Sequence, residues 1–368
     1  MITNFRKALS LTTALVMASS AIAYAEPSAE LIEAAKKEGM LTTIALPHDW
    51  CGYGAVIDGF KKKYPEITVN ELNPDAGSAD EVEAIKANKD NKGPQAPDVV
   101  DVGLAFGPQM KAEGLLQPYK VSTWDEIPAE VKDADGFWYG DYYGVMSLLV
   151  NKDLVANTPK DWSDLLKPEY AGQVALAGDP RASNQAILGV LAAGLASGAK
   201  AGKDAGEAGL KYFGELNKAG NFVPVIGKSG TLAQGATPIV VMWDYNALAA
   251  KDTLAGNPPV EVVVPASGVL AGVYVQGISA FAPHPNAAKL WMEYLYSDEG
   301  QTAWLAGYCH PARFNAMSKA GKIPQALLDK LPPAASYEKA YFPTLEEVDA
   351  NKAAVTGAWD SVVGANVQ

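Results

Sequence analysis

Apolar positions along the chain follow two rhythms. Over residues 29–38, Leu31, Ile32 and Ala35 recur at helical spacing and the run stops at Gly39, which predicts an amphipathic helix. "MLTTIAL" (40–46) has no helical period and reads as a buried strand. A helix is expected over 54–64, ended by Pro65, and "EITVNELN" (66–73) reads as a second strand. Ser78, with Glu81 three residues on, has the capping-box spacing of a helix start, and "APDVVDVGL" (96–104) reads as a third strand. Strand and helix alternate in short units, the order of a parallel sheet covered by helices on both faces.

The rhythm changes at "YYGVMSLLVNKDLV" (142–155), an extended apolar passage into a second set of units. That set holds a short helix at 162–166, strand "QVALAG" (173–178), helices at 184–196 and 206–218, and strand "TPIVVMW" (237–243). The Gly- and Ala-rich stretch 191–209 fits either tight helix packing or a mobile surface segment. A second extended passage, "VEVVVPASGVLAGVYVQGISAF" (260–281), leads back to helices at 286–296, 299–306, 324–331 and 345–358. The pattern predicts two α/β lobes joined by two extended crossovers: 26–143 with 270–368, and 144–269.

Residues 1–25 read as a leader: Arg6 and Lys7 precede an apolar stretch, and "AYA" (23–25) has the small-x-small form of a cleavage site. No later run has eighteen apolar residues free of charge, so an exported, membrane-free protein is expected. Removing Arg6 and Lys7 leaves 28 basic against 42 acidic side chains, which argues against a nucleic-acid partner. In an oxidising compartment Cys51 and Cys309, the only two cysteines, fit either a disulfide or two buried thiols. The three histidines lack metal-ligand spacing, and no nucleophile-elbow, phosphate-loop or zinc-protease motif occurs. Neither a cofactor nor a metal is expected.

Several stretches, "FKKKYPEITVN", "PDVVDVG", "EGLLQPY", "DGFWYGDYYGVMSLLVNKDL", "TPKDWSDLLKPEYAGQVAL" and "AAKLWMEYLYSDEGQ", resemble the periplasmic solute-binding proteins of ABC importers. The group resembled includes binders of polyamines, ferric ion, phosphonates and short amino acids. The resemblance implies a type II periplasmic-binding-protein fold, a small organic solute held between the lobes, and delivery to membrane permease subunits by a monomer. It also implies that the C-terminal part completes the first lobe, which would bring Cys309 to the rim beside Cys51 and favour a bridge.

Solutes of open α/β sheets sit beyond the carboxyl ends of strands. That places Asp49, Trp50 and Tyr53 of "LPHDWCGYG", then Asp101, on the first-lobe wall, with Asp141 and Tyr142 at the crossover. On the second lobe Arg181 and Ser183 precede a helix start suited to an anion, while Trp243 and Asp244 end a strand and suit a cation. Arg181 and Asp244 together would read a zwitterion, such as gamma-aminobutyrate, another omega-amino acid or a larger opine. The alternatives are a polyamine (putrescine or spermidine) held by acid at both ends, a phosphonate or other organic anion held by Arg181, and, in a different class, a secreted two-lobed enzyme. Tyr142 and Tyr143 adjoin in an extended passage, so they are expected to face opposite ways and not to share a metal.

Overall fold

The computed structural model describes residues 26–331 and 339–368; the expected leader lies outside the described residues. The strands are β1 (Met40–Ile44), β2 (Thr68–Leu72), β3 (Val99–Gly103), β4 (Leu116–Gln117), β5 (Trp138–Asn151), β6 (Val174–Leu176), β7 (Ile239–Trp243), β8 (Val260–Val263), β9 (Ala271–Ser279) and β10 (His310–Pro311). Two long strands organise them. The first half of β5 pairs antiparallel with β9 and β10, and its second half pairs antiparallel with β7 and β8. One strand thus contributes to both lobes, as the long apolar run at 142–155 predicts.

Parallel pairing, expected throughout, holds for β1 with β2 and for β6 with β7. β9 instead inserts antiparallel between β3 and β5. The chain returns through β9 from the second lobe, so it runs against the strands of the unit it rejoins.

In the first lobe helix Ala29–Glu38 packs on helix Pro285–Leu295. Phe60, Tyr64, Trp291 and Tyr294 fill the space nearby with edge-on and tilted rings. In the second lobe helices Asn184–Ala196 and Lys203–Lys218 cross in backbone contact: a Cβ on Gly194 would lie 1.8 Å from Ala205 O, and one on Gly209 would lie 2.0 Å from Val190 O. The Gly/Ala-rich stretch is therefore close helix packing.

Two expectations need correction. Residues 345–368, assigned with the first lobe, pack on the second: helix Leu345–Val362 lies against Lys203–Lys218, Trp359 meets Phe213 and Phe222, and Ile226 and Gln368 exchange backbone bonds with Gln368 and Pro224. The apolar stripe of a late helix names no partner, and here the second lobe supplies the complementary aromatic surface. At 77–81 the cap is Gly77, whose N–H donates to Asp80 Oδ2 at 2.8 Å. Ser78 Oγ and Glu81 Oε2 instead accept the backbone N–H groups of Gly103 and Asp101, turning both side chains towards the carboxyl end of β3.

Candidate functional site between the lobes

The loop after β1 is fastened by a disulfide between Cys51 and Cys309, whose Cα atoms lie 5.4 Å apart. Cys51 and Gly52 take positive φ, 50° and 69°, which turns the chain sharply into helix Tyr53–Lys63. Tyr53, at the start of that helix, is fully buried and points into the carboxyl end of the first-lobe sheet.

Three acids lie there, all almost wholly out of solvent: Glu81, Asp101 and Asp141. Asp101 Oδ2 accepts the hydroxyls of Tyr53 (2.9 Å) and Tyr142 (2.7 Å). Asp141 accepts the Tyr142 N–H at 2.7 Å and Gln276 Nε2 at 2.9 Å, and the same Gln276 nitrogen donates to the Tyr53 hydroxyl. Among the described residues no ion pair joins any of these acids to a basic side chain. Burial lifts the Asp101 pKa to about 6 against the opposing pull of the two tyrosine hydroxyls. Burial and then the Asp101 charge push Asp141 and Glu81 well above the carboxylate range. One acceptor is conspicuous: Asp101 Oδ1 is buried without a hydrogen-bond donor.

Aromatic rings close over this floor. Trp50 donates its indole N–H to the Tyr142 hydroxyl at 2.7 Å and meets Tyr245 and Tyr274 edge to face at 5.5 and 5.4 Å. Tyr142 stacks on Tyr274 at 5.5 Å, and Trp243 stacks on Tyr245 at 6.2 Å. The crossover strands allow this approach by lacking side chains: a Cβ on Gly144 would fall 2.4 Å from the Tyr245 ring, and one on Gly272 would fall 2.1 Å from Trp243. Such a set of π faces beside a carboxylate suits an organic ammonium group.

The second lobe contributes donors. Asn184 Nδ2, Trp243 Nε1 and the Tyr245 hydroxyl are buried without a well-formed hydrogen bond. Asn184 and Trp243 border the Tyr274 hydroxyl, whose pKa burial raises and these two neighbours pull back. Asn184 reaches across to β3, where a Cβ on Gly103 would sit 2.0 Å from its side chain. At the rim Lys228 pairs with Asp75 across the lobes at 2.9 Å.

The structure gathers Trp50, Tyr53, Asp101, Asp141, Tyr142 and Trp243 in one place and leaves four sequence candidates outside it. Asp49 is exposed on the loop. Ser183 lies over Gly178. Arg181 is held by Asp179 (2.8 Å), Asn366 (2.9 Å) and Asp360 (3.4 Å), so its guanidinium ties the loop to the C-terminal tail instead of facing the rings. Asp244 Oδ1 accepts the Val145 N–H at 2.9 Å and braces the crossover strand. Sequence reasoning did not single out Glu81, Tyr274 or Gln276. Tyr274 and Gln276 alternate along β9, with Gln276 in register with Asp101, so their strand period was the available signal. Tyr143 faces the other way and stacks on His310 at 5.0 Å. Behind the crossover strands on that side lies an apolar cavity of about 490 Å³, lined by Leu104, Tyr143, Leu188, Val273 and Phe342. Among the described residues no group of three or more His, Cys, Asp or Glu could hold a metal ion.

Residues 95–339 match the family model described as bacterial extracellular solute-binding protein. An uncharacterized protein of Haemophilus influenzae is 31% identical over 267 residues, 67% of this chain and 70% of its own. A protein of Salmonella typhimurium named as a 2-aminoethylphosphonate-binding periplasmic protein is 27% identical over 212 residues, 56% of this chain and 59% of its own. The solved structure of the periplasmic binding protein MotA from A. tumefaciens, in complex with glucopine, superposes with a TM-score of 0.68 at 17% identity, covering 88% of this chain and 99% of that one. A two-lobed fold bridged by β5 and β9 and a family match over residues 95–339, most of the chain, agree: the chain belongs to the bacterial extracellular solute-binding proteins, the periplasmic capture subunits of ABC importers.

Proposed function

We propose that this subunit captures a small zwitterion with its ammonium group on Asp101 and its anionic end on donors of the second lobe. The observation that carries the reading is the pairing of opposite deficits across the cleft. Asp101 Oδ1 lacks a well-formed donor, while Asn184 Nδ2, Trp243 Nε1 and the Tyr245 hydroxyl lack well-formed partners, Asn184 and Trp243 only bordering the Tyr274 hydroxyl. Buried polar groups of this kind are costly unless a partner meets them, and a zwitterion meets both kinds at once. Trp50, Tyr142 and Tyr274 would cover the methylene groups between. Omega-amino acids such as gamma-aminobutyrate and aminoalkylphosphonates both fit, and the Salmonella typhimurium relative is named for one of the latter. Arg181 and Asp244, the pair the sequence suggests for these ends, are replaced by the donor set and by Asp101. A polyamine would need an acid at both ends, and the second-lobe wall presents donors instead.

Calorimetry with gamma-aminobutyrate, 2-aminoethylphosphonate, putrescine and methylphosphonate tests this. Removing one partner of a desolvated charge pair costs about 2 to 5 kcal/mol, so Asp101→Asn should weaken the zwitterions by roughly thirtyfold or more. Equal affinity for methylphosphonate, or an unaffected Asp101→Asn, would sink the reading.

A further inference from the structure

Three buried acids under one solute are more negative charge than a single ammonium can balance, so the protonation of the pair nearest the rings bears on which solute fits. We infer that Asp141 is held as a neutral acid, leaves the site one negative charge on Asp101, and so selects solutes with one ammonium group over diamines and metal cations. The inference rests on the amine-binding reading above and deepens it.

The geometry points to Asp141 as the proton carrier. Asp101 and Asp141 are buried in one hydrogen-bond network, Gln276 Nε2 donating both to Asp141 and to the Tyr53 hydroxyl that donates to Asp101, and two carboxylates so near each other out of water repel strongly enough that one takes up a proton. Asp101 is equipped to keep the charge, since two tyrosine hydroxyls donate to its Oδ2. Asp141 receives one backbone N–H and one amide N–H.

Among the described residues no cation pairs with either acid from another direction. The first-lobe helices bring Tyr53 and Glu81; β5 brings Tyr142, β9 brings Tyr274 and Gln276, the second lobe brings Tyr245, and Tyr296 stands behind. Glu81 is itself raised by burial and by the Asp101 charge. On the paired strand β10, His310 stacks against Tyr143 on the opposite face, and burial lowers its pKa to about 4. Arg313 pairs with Glu126 and Asp298.

Asp141→Asn reproduces the neutral acid's shape: the amide oxygen can accept the Tyr142 N–H, and Gln276 can turn its amide to accept the new N–H. At neutral pH the wild type should bind gamma-aminobutyrate and 2-aminoethylphosphonate about tenfold or more above putrescine, and Asp141→Asn, which leaves the site's charge as it is, should keep that order. The solute-free wild type should show a protonated-carboxyl C=O infrared band at neutral pH that Asp141→Asn lacks. An unchanged band, an order of affinities that Asp141→Asn reverses, or a wild-type preference for putrescine that Asp141→Asn abolishes would overturn the inference. If no amine binds the wild type, the solute reading fails, and the infrared difference alone still decides the state of Asp141.

Discussion

Trp50 of the first lobe and Tyr245 of the second meet edge to face, ring centroids 5.5 Å apart at 70°. The same indole donates to Tyr142 on the strand common to both lobes. On the proposed reading, Trp50 would sense lobe closure and the solute together.

Solute titration should change tryptophan emission, and Trp50→Phe should remove most of that change. Loss of an aromatic contact of this kind costs about 1 kcal/mol, so Trp50→Ala should also weaken binding roughly fivefold. An emission change of full size in the Phe variant would assign the signal to Trp243 or to Trp304, which meets Tyr142 edge to face at 5.5 Å.

Gly103→Ala should block closure while sparing the first lobe. The new methyl group would lie 2.0 Å from the Asn184 side chain, which arrives from the opposite lobe. Small-angle scattering should show wild-type compaction at saturating solute and none in the variant. Thermal unfolding of the solute-free variant should stay near wild type; a large drop would place the clash inside the lobe.

The two charged candidates should separate in mutagenesis. Arg181 is satisfied by Asp179, Asp360 and Asn366, so Arg181→Ala should alter affinity by no more than about threefold, against roughly thirtyfold for Asp101→Asn. A large loss in Arg181→Ala would return the anion to the place the sequence suggests.

Replacing both cysteines with serine should lower stability. A crosslink between positions 258 residues apart is worth about 5 kcal/mol on a chain-entropy account. The Trp50 loop is anchored by this bond, so affinity should fall along with the urea midpoint. Denaturation curves that superimpose on wild type would remove the anchoring argument.

Acidification should stabilise the solute-free protein at Asp101 while weakening solute binding. The folded-state pKa of about 6 lies above the ordinary 3.8, so the folded state binds this proton more tightly than the unfolded chain. Its stabilisation is full below about pH 4 and lost as pH rises through 6, an effect of about 3 kcal/mol. Between neutral pH and about pH 4.5, the stability of wild type relative to Asp101→Asn should rise. The affinity for an ammonium solute should fall over the same window, because its counter-charge is titrated away.

Much of the architecture was legible in local patterns. Helix Ala29–Glu38 and helix Asn184–Ala196 fall where apolar spacing and breakers place them, and the run at 142–155 marks β5 because only a strand buried on both faces stays apolar so long. The loop "LPHDWCGYG" was legible in part: Trp50 and Tyr53 bond to Tyr142 and Asp101, and Cys51 bridges to Cys309. What the sequence could not determine is which charges meet. A salt bridge depends on the partner that arrives in space, and Arg181 meets Asp179 from its own loop and Asp360 from the C-terminal helix that packs on the second lobe. Tyr274 and Gln276 face Asp101 through the register of β9 against β3, since a shift by one residue would send both to the cavity side. Sequence determined the elements, because helical and strand periods are local; only the tertiary structure decided that Asp101 lies beneath the rings and Asp244 braces a strand, because burial and pairing belong to positions far apart in the chain.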